Sequence, residues 1–147
     1  MGYATPLLTE RYKWNFTPSD VDIDLDSNEY TGTSSTYEEV VRYNIERLHR
    51  VAQVRLKAAL GGVADAGQTI YYRIRDQDGN LLLEHSDATP GTSSTNTADI
   101  TIGDITQLVC QIKTSNNGTD CNIKDIRIMG DLVGQYANIN YPTLDVV

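Results

Sequence analysis

Two groups of acidic residues have side chains that could bind a hard cation. The first is the run DQDGN at residues 76–80, in which carboxylate and amide oxygens alternate as they do in a calcium-binding loop. An EF-hand loop has glycine at its sixth position and glutamate at its twelfth, whereas Gly79 is the fourth residue of this run. A β-hairpin turn explains the same five residues, so we interpret the run as a turn and predict no metal site.

The second group is a ladder of four aspartates that alternates with apolar residues. It consists of Asp20, Asp22, Asp24 and Asp26, interleaved with Val21, Ile23 and Leu25. Side chains two positions apart share one face of a strand and lie about 7 Å apart, too far for one ion to bridge neighbours directly. The pattern predicts a strand with a solvent-exposed acidic face. The alternatives are docking of that face to a basic partner and binding of a cation together with ligands from loops.

Residues suited to catalysis are few. His49 and His85 are the only histidines, and neither belongs to a helical metal-ligand motif. The sequence contains no Gly-x-Ser-x-Gly elbow and no phosphate-binding glycine loop. We therefore predict that the protein is not an enzyme and needs no cofactor.

The two cysteines fit neither a disulfide framework nor a zinc site. If Asn117 and Gly118 close a two-residue hairpin, Cys110 lies opposite Asp125, several residues away from Cys121. A disulfide requires close α-carbons, so both cysteines are predicted to be free thiols in the core.

Composition excludes several classes of function. The chain of 147 residues has 20 acidic and 12 basic side chains and a net charge of -8, which argues against binding a nucleic-acid backbone. No apolar run has the length of a membrane span, and residues 1–10 lack the features of a signal peptide. We expect a chain that is made in the cytoplasm, or one whose leader was removed and replaced. Nine tyrosines, against one Phe and one Trp, favour half-buried strand faces.

Short alternating segments separated by turn residues predict an antiparallel β-sandwich. The predicted strands downstream of residue 68 are 69–75, 81–85, 97–102, 107–114 and 119–129. Turn chemistry at 76–80 and 116–118 predicts two hairpins, and a bulge is expected near Lys124 or Asp125. In the fourth of these strands, Leu108, Cys110 and Ile112 are predicted to face the core. Strands spaced about eight to twelve residues apart are typical of a sandwich or a barrel.

The segment 37–60 has two interpretations. Ser35 with Glu38 forms a capping-box pattern and Gly61 could end a helix, so one helix within 37–60 is the alternative. The apolar residues also alternate with polar ones on both sides of residues 47–49. Because everything downstream is β, two strands broken near 47–49 are favoured.

Residues 1–147 are expected to form a single mainly β domain with an arm at each end. The N-terminal arm spans 1–20, the sandwich 21–130 and the C-terminal arm 131–147. Aromatic side chains in the arms are predicted to form partner or oligomer contacts: Tyr12, Trp14, Phe16, Tyr136 and Tyr141.

The part of the chain from about 50 to 130 resembles jelly-roll-like β-sandwich modules of phage and archaeal-virus structural proteins. The segments that carry the resemblance are 51–60, 68–74 with the turn at Gly79, 98–104, 108–115 and 122–130. Those modules are similar in turn to non-catalytic carbohydrate-binding modules. The resemblance implies a noncatalytic sandwich that attaches to a larger assembly or to glycans, and it assigns no functional residue.

Two hypotheses about function follow. The first is a non-enzymatic virion structural protein, such as a capsid-decorating or surface-attached module, which forms a homo-oligomer and binds the major capsid or another virion protein. It would be located in the virion and would contact neither nucleic acid nor membrane. The alternative is a carbohydrate-binding or adhesion module of β-sandwich type, in which Trp14, Tyr71 and Tyr72 stack on sugar rings.

Overall fold

The computed structural model describes residues 15–46, 53–62, 67–88, 93–133 and 144–147. Within these ranges the backbone forms ten strands. They are β1 (Asn15–Asp26), β2 (Tyr30–Gly32), β3 (Glu38–Asn44), β4 (Gln53–Gly61), β5 (Ile70–Arg75), β6 (Leu81–Asp87), β7 (Ser94–Thr101), β8 (Gln107–Thr114), β9 (Cys121–Val133) and β10 (Asp145–Val146).

The strands form two antiparallel sheets that pack face to face. Sheet I has the order β1-β9-β4-β7, and β2 also pairs with β9. Sheet II has the order β10-β3-β8-β5-β6. The predicted mainly β, antiparallel sandwich of jelly-roll-like type is confirmed.

The core lies between the sheets and follows the alternation of each strand. The predicted inward residues of β8, Leu108, Cys110 and Ile112, are fully buried. Tyr43 and Tyr72 are the largest fully buried side chains of the described residues. The Tyr72 hydroxyl donates a hydrogen bond of 3.1 Å to the Ala58 carbonyl, which joins β5 of sheet II to β4 of sheet I.

The segment 37–60 contains two strands, as favoured from its alternation. β3 lies beside β8 in sheet II, and β4 lies between β7 and β9 in sheet I. The inward residues Val54, Leu56 and Ala58 are fully buried, as a period of two requires. Central positions in two sheets satisfy the backbone hydrogen bonds that the alternative helix would have made internally.

The prediction that the aspartate ladder faces solvent is wrong for its last two residues. Asp24 and Asp26 are only 1% and 4% exposed, whereas Val21 is 56% exposed. The pairing of β1 with β9 is irregular between Thr17 and Asp22 and again between Asp22 and Asp24. One extra residue in a strand moves every following side chain to the other face, so the last two aspartates point into the sandwich.

The predicted hairpin between β8 and β9 is also wrong. β8 belongs to sheet II and β9 to sheet I, so the Asn117-Gly118 turn crosses between the sheets. The turn is held by other contacts: Asn117 Oδ1 accepts a hydrogen bond of 2.7 Å from the Ser35 amide, and the Gly118 amide donates one of 2.9 Å to the Thr33 carbonyl. Cys110 and Cys121 are nevertheless buried free thiols, as predicted.

The bulge predicted near Lys124 or Asp125 is confirmed. The pairing of β9 with β4 is irregular between Lys57 and Ala59, and Asp125 has a φ of 51°. The 76–80 hairpin is also confirmed, because β5 pairs with β6 across it.

The structure places strands inside both predicted arms and lengthens one predicted strand. β1 begins at Asn15, inside the predicted N-terminal arm, and β7 begins at Ser94, three residues before the strand predicted over 97–102. In the predicted C-terminal arm, β9 continues to Val133, Leu144 is buried in the core and β10 pairs with β3.

Candidate functional site

The outer face of sheet II carries an unusual mixture of tyrosine, amide and basic side chains. In β5 the inward residues are Ile70, Tyr72 and Ile74, so Tyr71, Arg73 and Arg75 point outward. In β8 the same alternation turns Gln111 and Lys113 outward. We call Tyr37, Tyr71, Arg73, Arg75, Gln111 and Lys113 the tyrosine-cation surface.

Lys113 lies between two tyrosine rings. It is the cross-strand neighbour of Tyr71, and its Nζ is 4.8 Å from the centroid of the Tyr71 ring. The same Nζ is 4.7 Å from the centroid of the Tyr37 ring, on the other side of β8. At these distances the negative ring faces attract the ammonium group, so Lys113 is held against the sheet.

Arg73 occupies the next position along β5. Its guanidinium carbon is 3.8 Å from the centroid of the Tyr37 ring, and its Nε donates a hydrogen bond of 2.6 Å to Gln111 Oε1. Burial and the neighbouring Arg75 lower the pKa of Arg73. Burial, and to a smaller degree Glu84, raise the pKa of Tyr37. The contacts with Tyr37 and Gln111 fix the orientation of the Arg73 guanidinium, and its other N–H groups can still donate hydrogen bonds.

Arg73 and Arg75 differ from the other described arginines. Arg42 pairs with Glu39 at 2.6 Å, Arg55 with Asp20 and Asp99, and Arg127 with Asp22 at 2.8 Å. Among the described residues, no carboxylate lies within ion-pair distance of Arg73 or Arg75. The Arg75 Nε is buried and has no hydrogen-bond partner within the same ranges.

The outer face of sheet I has a different character. Arg55 Nε lies 2.9 Å from Asp99 Oδ1 and Arg55 Nη1 lies 3.0 Å from Asp20 Oδ1, so this guanidinium bridges β7 and β1. The Asp22 to Arg127 pair crosses the same face. The two arginines of sheet I are thus neutralised within the protein.

The predicted sugar-stacking residues fall in three different environments. Tyr71 lies on the tyrosine-cation surface and is partly exposed. Tyr72 was assigned wrongly, because it is fully buried and points into the core. Trp14 lies outside the described residues.

The predicted oligomer contacts are not described at the level of side chains. Tyr12, Tyr136 and Tyr141 lie outside the described residues, as does Trp14. Phe16 lies in β1 opposite Leu132 of β9, and only its backbone is described.

The Asp76 carboxylate is occupied by the turn itself. Asp76 Oδ1 accepts hydrogen bonds of 2.9 Å from the amides of Asp78 and Asn80, and Oδ2 accepts one of 2.9 Å from Asn80 Nδ2. These contacts support the turn interpretation. No group of side chains suited to a metal ion occurs in the described parts of the chain, which exclude His49.

A serine, a histidine and an aspartate do meet where β6 approaches β7. Ser94 Oγ lies 2.8 Å from His85 Nε2 and donates a hydrogen bond of 3.0 Å to Asp87 Oδ2. In a hydrolytic triad the serine gives its proton to the histidine and the carboxylate holds the other ring nitrogen. Here the Ser94 hydroxyl donates its proton to the Asp87 carboxylate and not to the histidine, so the arrangement is not that of an activated nucleophile.

Sequence reasoning missed most of the tyrosine-cation surface. The alternation of β5 was visible and would have placed Arg73 and Arg75 beside Tyr71 on one face. Tyr37 precedes β3, and Lys113 sits in another strand, so their meeting depends on which strands pair.

No protein-family model matches the sequence, and no curated protein matches it. Several solved structures are similar to this chain at low sequence identity. The C-terminal family 22 carbohydrate-binding module of Clostridium thermocellum xylanase Xyn10B is 10% identical, with a TM-score of 0.49 over 86% of this chain and 88% of that one.

Two larger structures are similar over most of the chain. One holds the N-terminal family 22 carbohydrate-binding and xylanase modules of the Clostridium thermocellum enzyme with xylohexaose, at 10% identity and a TM-score of 0.47. This chain spans 30% of that protein, and 81% of the chain is covered. The other is from infectious bursal disease virus, Gt strain, at 13% identity and a TM-score of 0.45, covering 82% of this chain and 33% of that one.

In the part of the chain that the structure describes, no helix has the length and apolar character needed to cross a membrane.

Proposed function

We propose that the protein is a non-enzymatic, glycan-binding β-sandwich module whose binding site is the tyrosine-cation surface. One observation carries the proposal: Lys113 of β8 lies between the ring of Tyr71, on β5, and the ring of Tyr37, which directly precedes β3. Aromatic rings offer an apolar surface to the C–H groups of a sugar, and neighbouring amide and basic side chains offer hydrogen bonds to its oxygens.

The support comes from how the surface is built. Regular strands fix the positions of all these side chains except Tyr37, which directly precedes β3. Gln111 and Arg73 form a polar pair in the row next to the two rings. A surface whose polar groups are already oriented loses less conformational entropy on binding than a loop would.

The direct test is binding of the purified protein to a glycan array, followed by calorimetric titration of the best oligosaccharide. Tyr71→Ala is expected to weaken binding by about tenfold or more, since an aromatic anchor typically contributes over 1.4 kcal/mol. Lys113→Ala is expected to weaken it as well. Lys57→Ala, which removes a lysine from the outer face of sheet I, is the matched control and should bind as the unmodified protein does.

Failure of every glycan on the array to bind would exclude the proposal. So would equal losses in Lys113→Ala and Lys57→Ala, because the effect would then not depend on the surface. Melting temperatures of all variants separate lost binding from lost folding.

A second candidate is a virion structural protein that self-associates, and the edge of sheet II favours it. β10 is a two-residue edge strand, and Val146 and Val147 are 50% and 69% exposed. They line a groove of about 490 Å³ together with Tyr30, Val40, Val41 and the ion pair of Glu39 with Arg42. An exposed strand edge can pair with another edge, and a two-fold pairing of β10 with its copy would bury these valines.

This second candidate places the protein in the virion, bound to the major capsid or another virion protein. The aromatic contacts at Tyr12, Trp14, Phe16, Tyr136 and Tyr141 belong to the same proposal. Native mass measurement tests self-association: Val146→Lys should shift an oligomer toward monomer, whereas Val21→Lys, at an exposed valine of β1, should not. A monomeric unmodified protein would exclude it.

A further inference from the structure

We propose that the glycan bound by the tyrosine-cation surface is anionic, with its carboxylate or sulfate groups held by Arg73, Arg75 and Lys113. This inference rests on the proposed function and adds the chemical class of the ligand.

The charge of the central strands is the first argument. The chain has 20 acidic and 12 basic residues, yet β5 and β8 contain no acidic residue. Their outer faces hold Arg73, Arg75 and Lys113. The carboxylates of this face lie on flanking strands, where Glu84 is opposite Arg73 and Glu39 is paired with Arg42. Because no carboxylate of the described residues lies within ion-pair distance of Arg73 or Arg75, this cationic centre can attract the negative groups of a ligand although the whole protein is acidic.

The hydrogen bonding of the two arginines is the second argument. Three of the five described arginines pair with carboxylates of the protein, and the remaining two are next to each other on one strand face. A guanidinium binds a carboxylate or sulfate through two parallel hydrogen bonds. Since no carboxylate of the described residues pairs with Arg73 or Arg75, their accessible N–H groups can donate to the acidic groups of a ligand.

The spacing of the cations is the third argument. Arg73 and Arg75 are two residues apart, which separates their α-carbons by about 7 Å along β5, and β8 runs about 4.8 Å to the side. Acidic groups on consecutive sugars of a chain could therefore each meet a different cation. The Tyr37 and Tyr71 rings hold Arg73 and Lys113 close to the sheet, so the cations are already in place before the ligand binds.

The cationic centre is too small to favour a nucleic acid. Phosphate-backbone binding depends on neutralising many phosphates, and its affinity falls steeply with salt because many counterions are released. Three cations flanked by two glutamates within a chain of charge -8 provide only a short track for such a backbone.

The test is calorimetric titration with three oligosaccharides of matched length: hexagalacturonate, a chondroitin sulfate hexasaccharide and xylohexaose. Each is titrated at about 50 mM and about 200 mM salt, and hexathymidylate is titrated alongside. At low salt, at least one acidic oligosaccharide is expected to bind about tenfold more tightly than xylohexaose, with the preference reduced at higher salt. Hexagalacturonate carries carboxylates alone, whereas the chondroitin sulfate hexasaccharide carries both carboxylates and sulfates, so tighter binding of the second ligand indicates a contribution from sulfate.

Variants assign the preference to the residues. Arg75→Gln and Arg73→Gln should each lower the ratio of acidic to neutral affinity by about tenfold, since each removes a charged hydrogen bond. Lys57→Gln, on the outer face of sheet I, should leave the ratio unchanged.

The outcomes are distinguishable. Equal or tighter binding of xylohexaose overturns the anionic ligand but leaves the glycan-binding function in place. An acidic preference that survives in both arginine variants also overturns the inference. If none of the oligosaccharides binds, both the inference and the proposed function are overturned. Both are also overturned if hexathymidylate binds more tightly than any sugar, because the surface would then prefer a nucleic acid.

Discussion

The Tyr43 hydroxyl of sheet II donates a hydrogen bond of 2.7 Å to the Asp26 carboxylate of sheet I. Asp26 Oδ2 also accepts one of 2.6 Å from the Tyr30 hydroxyl, and Oδ1 accepts one of 2.9 Å from the Asn28 amide. Burial raises the pKa of Asp26, but the hydrogen bonds from Tyr30, Asn28 and Tyr43 outweigh it and hold the pKa below its ordinary value. A charged group thus joins the two sheets inside the core.

Asp26→Ala is expected to lower the free energy of unfolding by about 3 kcal/mol near pH 7, because it leaves the Tyr43 hydroxyl buried without this partner. The folded pKa is below the unfolded value of about 3.9, so the stabilisation is complete above that value and is lost as the pH falls through the folded pKa. Urea unfolding of both proteins from about pH 7 to about pH 2 measures this.

The control is Asp22→Ala, which removes a surface ion pair with Arg127 and should cost less than about 1 kcal/mol. A difference between Asp26→Ala and the unmodified protein that stays constant down to the lowest pH would contradict the charged hydrogen bonds.

The ladder shows what alternation can and cannot predict. The existence of a strand through Asp20–Asp26 followed from the period of two, and so did β3, β4 and the strands downstream. The face did not, because the irregular pairing at Ile23 depends on β9, more than a hundred residues away along the chain. A local pattern fixes which residues share a face, but a bulge decides which of them point inward.

Asp125 has a φ of 51°, which is unfavourable for β-branched side chains. Asp125→Val is expected to destabilise the protein by about 1–3 kcal/mol through backbone strain in the bulge. Lys124→Val, at the neighbouring position of β9, is the matched control and should change stability by less than about 0.5 kcal/mol. Urea unfolding of the two variants measures both, and equal losses would contradict a strain specific to Asp125.

The two thiols should be unreactive in the folded protein. Burial raises the pKa of Cys121 to about 11, and Cys121 Sγ is 3.5 Å from the Tyr71 carbonyl. Burial, with Asp26 and Glu39 nearby, also raises the pKa of Cys110. Since the thiolate is the reactive form, a chromogenic disulfide reagent near pH 8 should label neither thiol until urea is added. Rapid labelling of native protein that disappears in Cys121→Ser would contradict the burial of that residue.

Local sequence patterns could not predict the tyrosine-cation surface either. Asn117-Gly118 is a strong local signal for a hairpin, yet the strands it joins belong to different sheets, so the turn predicted the wrong partner for β8. With β3 and β5 as the true neighbours of β8, Tyr37, Lys113 and Tyr71 fall in one row. Strand order is a property of the whole chain, and no short segment contains it.

Tyr71 and Tyr72 are adjacent in the sequence but point to opposite sides of sheet II, so substituting Tyr72 should mainly reduce stability and substituting Tyr71 should mainly reduce glycan binding. Tyr72→Ala removes a fully buried ring and its hydrogen bond to Ala58, and is expected to lower the free energy of unfolding by about 3–5 kcal/mol. Tyr71→Ala removes a partly exposed ring and should cost less than about 1 kcal/mol.

Glycan titration and urea unfolding of both variants separate the two roles. Tyr71→Ala should lose affinity while remaining folded, whereas Tyr72→Phe, which keeps the ring, should bind as the unmodified protein does and lose only about 1 kcal/mol of stability. If folded Tyr72→Phe lost as much affinity as Tyr71→Ala, glycan binding would depend on the buried hydroxyl of Tyr72 as strongly as on the outward-facing ring. The outer face of sheet II would then not be the contact surface itself.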